Sequence, residues 1–165
     1  MWFMNKIVNP AVRLILRSPW HEMMSNSLLL ITYKGRKSGM EYSLPVQYVS
    51  DNRTIYIIVG MPEKKTWWRN LRRSATVQLL LKGKGVTGNA IVLEGDAVVE
   101  IIAKALNLYL KRFPAATKNR GIRVDENGSF NQDDVRQSAS NTVVVQVELN
   151  QLDWGGLVTK LLREY

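Results

Sequence analysis

Gly35-Arg36-Lys37-Ser38-Gly39 sets two cations and a hydroxyl between two glycines. A guanidinium for bidentate pairing, an ammonium as point charge and outward backbone N–H groups together suit a phosphate or carboxylate. The glycines admit positive φ and close backbone approach. The same residues also suit a basic, solvated hairpin turn, because tight two-strand connections favour glycine and polar side chains. A second stretch, Lys64 to Arg73, places Trp67 and Trp68 among cations, and Met61 to Gly85 holds seven Lys or Arg against one acid. Indoles beside cations can stack a flat ring system and neutralise its anionic tail; they can equally anchor a core. Neighbours on a helix point about 100° apart, so Trp67 and Trp68 are expected in different environments. Asn70, one turn beyond Trp67, offers an amide to a ring edge or a phosphate.

Other chemistries find little support. The chain has no cysteine, which excludes disulfides, thiolate metal sites and thiol nucleophiles. A single histidine, His21, excludes multi-histidine metal sites and reads as a helix-end or surface residue. No pair of carboxylates has acid/base spacing, and Asp133-Asp134 reads as a helix start. No catalytic residue and no metal ligand is therefore assigned. Catalysis would rest on a bound cofactor, with the protein supplying position and electrostatics.

The elements that must position these groups follow from patterning. Ser27 to Lys34 and Tyr42 to Ser50 read as strands flanking the basic turn, with Pro45 marking an edge, a bulge or an opening of the ladder. Thr54 to Val59 is a β-branched third strand, and the three runs form an antiparallel meander. Thr66 caps a short helix from Trp67 to about Arg73. Strands follow at Thr76 to Leu81 and Val86 to Leu93, then a long helix from Ala97 to Arg112. Residues 115–140 are polar and show only a turn at Asn127-Gly128 and a helical turn or two after Asn131. Thr142 to Leu149 is a clear strand, and the tail to Tyr165 ends apolar and helical. Asn9-Pro10 starts a basic amphipathic helix ended by Ser18-Pro19, which either packs across one end of the domain or lies in a membrane interface. The fold class is α+β: about six mostly antiparallel strands, closed into a small barrel that removes exposed edges, with flanking helices.

With 165 residues and 45% hydrophobic content, the chain suits one domain, 1–165, whose first twenty residues are the amphipathic segment. The net charge of +9 and pI near 9.9 favour an anionic partner. No apolar run reaches the roughly 18 residues that span a bilayer, and the first residues lack a secretory pattern. The reading is a cytoplasmic protein, with peripheral membrane contact through residues 1–20 as a second possibility. Neither an exposed aromatic series nor a helix-turn-helix pattern points to nucleic acid.

From Arg17-Ser18-Pro19-Trp20-His21, through Gly35-Arg36-Lys37-Ser38-Gly39 and Leu44-Pro45-Val46-Gln47-Tyr48, to Trp67-Trp68-Arg69-Asn70-Leu71, residues 9–95 resemble the deazaflavin-dependent nitroreductase family of split β-barrel oxidoreductases. The resemblance implies a split barrel, coenzyme F-420 as cofactor, and hydride transfer to a quinone-like or nitroaromatic small molecule. It implies that Arg36, Lys37, Ser38 and Gly39 bind the phosphate and carboxylates of the cofactor's tail. Tyr42, Leu44 and Pro45 would line the cofactor, and Lys64, Trp67, Trp68 and Asn70 would flank its ring and tail. Homodimers are common among such barrels. Met61-Pro62-Glu63 departs from the family by lacking a glycine pair near the ring, and Arg72 to Ala75 replaces the usual turn. FMN on the same barrel is the nearest alternative, since it also needs a phosphate clamp and a ring platform. A non-enzymatic basic binder of membrane surfaces is the other.

Overall fold

The computed structural model describes residues 27–150. The amphipathic segment 1–20, His21 and the tail from 151 onward lie outside the described residues. Strands β1 (Leu28–Lys34), β2 (Glu41–Gln47), β3 (Val49–Asp51) and β4 (Thr54–Ile58) come first. A 3₁₀ turn at Trp67–Leu71 leads to β5 (Ala75–Leu81) and β6 (Lys84–Leu93). A second 3₁₀ turn, Asp96–Val98, opens α1 (Val99–Arg112), followed by α2 (Ala116–Asn119), α3 (Gln132–Ser140) and β7 (Val144–Leu149).

All seven strands form one antiparallel sheet in the order β2-β1-β5-β6-β7-β4-β3. The outermost strands, β2 and β3, are separated in sequence by Tyr48 alone. One residue cannot cross an open seven-stranded sheet, whose strands lie about 4.8 Å apart. The sheet therefore curls until its edges approach each other, giving the split barrel expected from the sequence, with one strand more than the six counted there.

The expected meander keeps its two antiparallel pairings, but its middle run is divided between the edges of the sheet. The run 41–51 is two strands, not one. Its first part pairs with β1, and its second pairs with β4 at the opposite edge. The break falls at Tyr48, whose side chain is buried and whose N–H donates to the Ser27 carbonyl. Burying that aromatic ring inside the curl outweighs continuing a flat hairpin. Pro45 does sit on an edge strand, where its missing N–H costs no ladder bond.

Alternation along β4 divides the apolar residues between two cores. Ile55 and Ile57 point into the barrel, joining Leu29, Ile31, Leu71, Val77, Leu79, Val145 and Val147. Tyr56 and Val144 point outward and meet α1 and α3 through Ile102, Leu106, Leu110, Val135 and Ala139. Each fully buried Ile or Leu contributes about 1.5–3 kcal/mol relative to exposure. The sheet is thus filled on one face by its own curl and covered on the other by helices.

Region 115–140 is folded. Asn131 caps α3, its Oδ1 accepting from the Asp134 N–H at 3.0 Å. Arg123 grips Asp134 with two side-chain bonds of 2.8 Å and a backbone bond of 3.0 Å, which holds this carboxyl down at about 2. Asp125 closes the intervening loop by accepting from Asn127 and Ser129, and Gly128 takes φ +79 at its tip. Among the described residues no helix is long and apolar enough to cross a membrane.

Candidate functional site

The β1–β2 connection is built around its first glycine. Gly35 N donates to the Met40 carbonyl at 2.7 Å, and Gly39 N donates to the Gly35 carbonyl at 2.8 Å. A Cβ on Gly35 would lie 2.5 Å from Ser38 Oγ and 2.6 Å from the Tyr42 ring, so only glycine fits. Gly39 turns the chain at φ +67. Ser38 Oγ and Tyr42 Oη lie 3.1 Å apart, tying the loop to the strand that follows. Arg36 and Lys37 are exposed, and among the described residues neither forms an ion pair.

Asn70 joins the two basic stretches. Its Oδ1 accepts from the Arg36 backbone N–H at 2.9 Å, and its Nδ2 donates to the Trp67 carbonyl at 2.9 Å. One amide thus fixes both the basic turn and the indole-bearing 3₁₀ turn across 34 residues of sequence. The expected α-helix from Trp67 to Arg73 is instead this shorter 3₁₀ element, and Thr66 makes no side-chain cap bond. The short, tight turn leaves the Asn70 side chain available to reach back to Trp67.

The tandem tryptophans separate as their angular offset requires. Trp67 is half-buried and meets Tyr33, with ring centroids 6.1 Å apart; Tyr33 in turn stacks on Tyr42 at 5.8 Å. Burial, and to a lesser degree Tyr42, push the Tyr33 phenol upward, so it stays protonated as a donor. Trp68, expected beside the cofactor, is 3% exposed inside the barrel core and donates its indole N–H to the Pro62 carbonyl at 3.2 Å. It is a packing anchor. The guanidiniums of Arg69 and Arg72 lie over its ring at 5.5 and 4.8 Å. Arg72 is also neutralised by Glu94 through bonds of 2.8 and 3.1 Å, which removes it from any anion clamp.

A cleft of ≈ 330 Å³ opens beside these elements, between β2 and the end of β4. Leu44, Pro45 and Val46 form one wall, Ile57 to Gly60 another, and Trp67 and Lys65 lie at its margin. Leu44, Pro45 and Trp67 of the expected set thus line one cavity. Tyr42 and Asn70 do not line it: Tyr42 stacks on Tyr33, which meets the lining residue Trp67, and Asn70 bonds the Trp67 carbonyl. Lys64 is exposed and does not line the cleft; its neighbour Lys65 does. Sequence reasoning missed Gln47, Tyr109 and Arg120, which also line it. Tyr109 lies on α1 and donates to Gln47 Oε1 at 2.9 Å across 62 residues. No local pattern could have reported that pairing.

The arrangement suits a ligand that is flat at one end and polyanionic at the other. Apolar side chains of β2 and β4 meet an indole at the cleft, Gln47, Lys65 and Arg120 add polar groups to its lining, and the basic turn carries cations that form no ion pair among the described residues. Its donor set holds no thiol, imidazole or carboxylate triad among the described residues.

Known proteins resemble this chain in sequence and in fold. Residues 21–126 match the model of a family described as F420H(2)-dependent quinone reductase. A Mycobacterium tuberculosis protein described as an F420H(2)-dependent quinone reductase is 23% identical over 84 residues, covering 49% of this chain and 71% of the relative. A solved structure of an F420-H2 dependent reductase superposes with TM-score 0.51 at 19% identity, covering 74% of this chain and 94% of the other. A second structure, of a domain-swapped dimer, superposes with TM-score 0.51 at 20% identity over 74% and 80% of the two chains. These two likenesses are of fold.

Proposed function

The chain belongs to the F420H(2)-dependent quinone reductase family, and on that premise we propose that it passes a hydride from reduced coenzyme F-420 to a quinone-like or nitroaromatic acceptor. It is an F-420-dependent oxidoreductase; the acceptor class is the inference. One observation carries the reading: the Asn70 amide links the cation-bearing turn to the turn that presents Trp67 at the cleft. A flat, acidic-tailed molecule needs those two surfaces side by side.

In this reading Arg36, Lys37, Ser38 and Gly39 hold the phosphate and carboxylates of the tail. Lys37 acts as an exposed point charge, the backbone at Gly39 as part of an anion nest, and Ser38 as a hydroxyl oriented by Tyr42. Tyr42, Leu44, Pro45 and Trp67 provide the apolar platform, with Lys64 and Lys65 at its rim. When bound, coenzyme F-420 supplies the hydride. The residues of the chain orient both reactants and exclude water from the apolar wall, which strengthens the surrounding electrostatics. The chain acts as a single domain and as a homodimer, the latter supported by a relative that is a domain-swapped dimer. Residues 1–20 supply a peripheral membrane contact, testable by liposome sedimentation with and without them.

Titration of the protein with reduced coenzyme F-420 tests the assignment. Micromolar cofactor should quench tryptophan fluorescence, and at about a hundredfold excess over Kd it should stabilise the fold by about 2.7 kcal/mol. Lys37→Ala should weaken binding about tenfold through loss of a charge-assisted contact. Lys118→Ala, an exposed cation on α2, should leave it unchanged. No response to F-420, with a clear response to FMN, refutes the cofactor assignment. Equal effects of the two substitutions refute the tail site.

A further inference from the structure

Arg120 is a half-buried cation that no carboxylate among the described residues answers. It follows α2, and its Nη1 donates to Thr142 Oγ1 at 3.0 Å and Ser138 Oγ at 3.4 Å. Among the described residues it takes part in no ion pair. Arg120 also borders a second cavity, beside α3, with Asp134, whose carboxylate is held by Arg123 through both oxygens. Burial lowers the affinity of Arg120 for its proton, while neighbouring Tyr109 raises it. The group stays cationic in any ordinary buffer. A cation taken partly out of water without a counter-charge is costly unless something else meets it. Two hydroxyl oxygens satisfy one of its nitrogens; they do not neutralise it.

The location gives the cost a use. Arg120 lines the same cleft as Trp67, together with Gln47 and Tyr109. Strand β2 sets the spacing. Tyr42 lies at the aromatic end, and Gln47 lies five residues along, about 17 Å at the rise of an extended strand. Tyr109 donates to the Gln47 Oε1, and the Gln47 amide hydrogens find no acceptor among the described residues. Among the described residues no carboxylate lines the cleft. The end farther from the basic turn therefore offers a guanidinium and an amide N–H to a second, smaller anion.

We propose that Arg120, seconded by Gln47, is the oxyanion subsite for the acceptor: it takes the oxygen that becomes negative when the acceptor is reduced. The inference rests on the hydride-transfer reading above and assigns the part of the cleft which that reading leaves unused. In the step, a quinone gains one hydrogen with its electron pair, the reduced cofactor loses them and is oxidised, and the quinone becomes a hydroquinone monoanion. Its charge rests on the oxygen facing Arg120, and a proton from water then neutralises it. A fixed cation and donor aimed at charge that develops only during reaction lower the barrier more than they tighten ground-state binding. Arg suits this place better than Lys because its fork can keep both hydroxyl bonds while turning its remaining N–H groups to the ligand.

The test uses pentafluorophenolate, an anion at about pH 7.5 where Arg remains charged, against hexafluorobenzene, its neutral near-isostere. Calorimetric titration of the wild-type protein should show the phenolate binding at least about tenfold tighter. Arg120→Met should abolish the preference, and Arg120→Lys should restore part of it. Equal binding of the two probes by wild type overturns the subsite without recourse to any variant. A preference that survives in Arg120→Met overturns it too, since another cation must then be responsible. A merely structural role for Arg120 would weaken both probes and F-420 together, and that result also overturns the proposal. In the intact case Arg120→Met lowers kcat about a hundredfold with a quinone and leaves the F-420 dissociation constant within about twofold. If wild type fails to bind F-420 yet keeps its phenolate preference, the cofactor reading falls and the anion subsite stands.

Discussion

Replacing Asn70 by alanine should uncouple the anion-binding turn from the indole platform. Two hydrogen bonds are lost, to the Arg36 N–H and the Trp67 carbonyl, both at 2.9 Å. The first is exposed, and water can replace it, so it contributes about 0.5 kcal/mol; the second is partly buried and contributes about 1 kcal/mol. The sum, about 1.5 kcal/mol, corresponds to a fall in melting temperature of about 3–6 °C for a chain of this size. The larger effect is on binding. Freed from Asn70, the Gly35–Gly39 turn must be ordered by the ligand at the ligand's expense, and an F-420 titration followed by tryptophan fluorescence should show about tenfold weaker affinity. Asn70→Asp is the informative partner. It keeps an acceptor for the Arg36 N–H but faces the Trp67 carbonyl with an oxygen, and it adds a negative charge beside the turn. It should retain most of the stability of the turn yet bind the acidic tail worse than wild type. If Asn70→Ala loses stability as calculated while F-420 affinity stays within twofold, the amide is structural only and the two surfaces act independently. That result would refute the bridge as the organising contact of the site.

Three further outcomes follow from the same geometry. Trp68→Ala should cost about 3–5 kcal/mol, as for other buried aromatics, whereas Trp67→Ala should cost much less and remove most of the F-420-dependent fluorescence change; denaturant titration and cofactor titration separate the two. Gly35→Ala should destabilise by about 1–3 kcal/mol through overpacking against Ser38 and Tyr42, and it should weaken F-420 binding as the turn shifts. Asp134, held at about 2 by Arg123, is more acidic in the folded chain than in the unfolded one. Its stabilisation is therefore complete above the ordinary carboxylate range and is lost as the pH falls through about 2. Melting temperature against pH should show a shallower acid slope in Asp134→Asn than in wild type.

Local sequence determined a good deal of this molecule. The apolar run after Ser27 and the β-branched run from Thr54 marked strands, which the fold forms at Leu28–Lys34 and Thr54–Ile58. The glycines at 35 and 39 marked the turn, Pro45 allowed an edge, a bulge or an opening of which the edge is found, and the adjacency of Trp67 and Trp68 required that they part. The clustering of cations near residues 36 and 64–73 is legible in the sequence as a feature suited to an anionic ligand. What the tertiary structure decided is everything that depends on distance through space. Tyr48 splits one apparent strand between the two edges of the sheet, because burying its ring inside a curl is worth more than an unbroken hairpin. Asn70 meets Arg36 only because β1 and the 3₁₀ turn pack on the same core. Arg72 is claimed by Glu94, and Arg120, in a polar stretch of sequence, is delivered half-buried to the cleft with no ion pair among the described residues. Periodicity and turn chemistry are short-range and can be read along the chain. Charge pairing and burial depend on which segments the curl brings together, and no window of sequence contains that information.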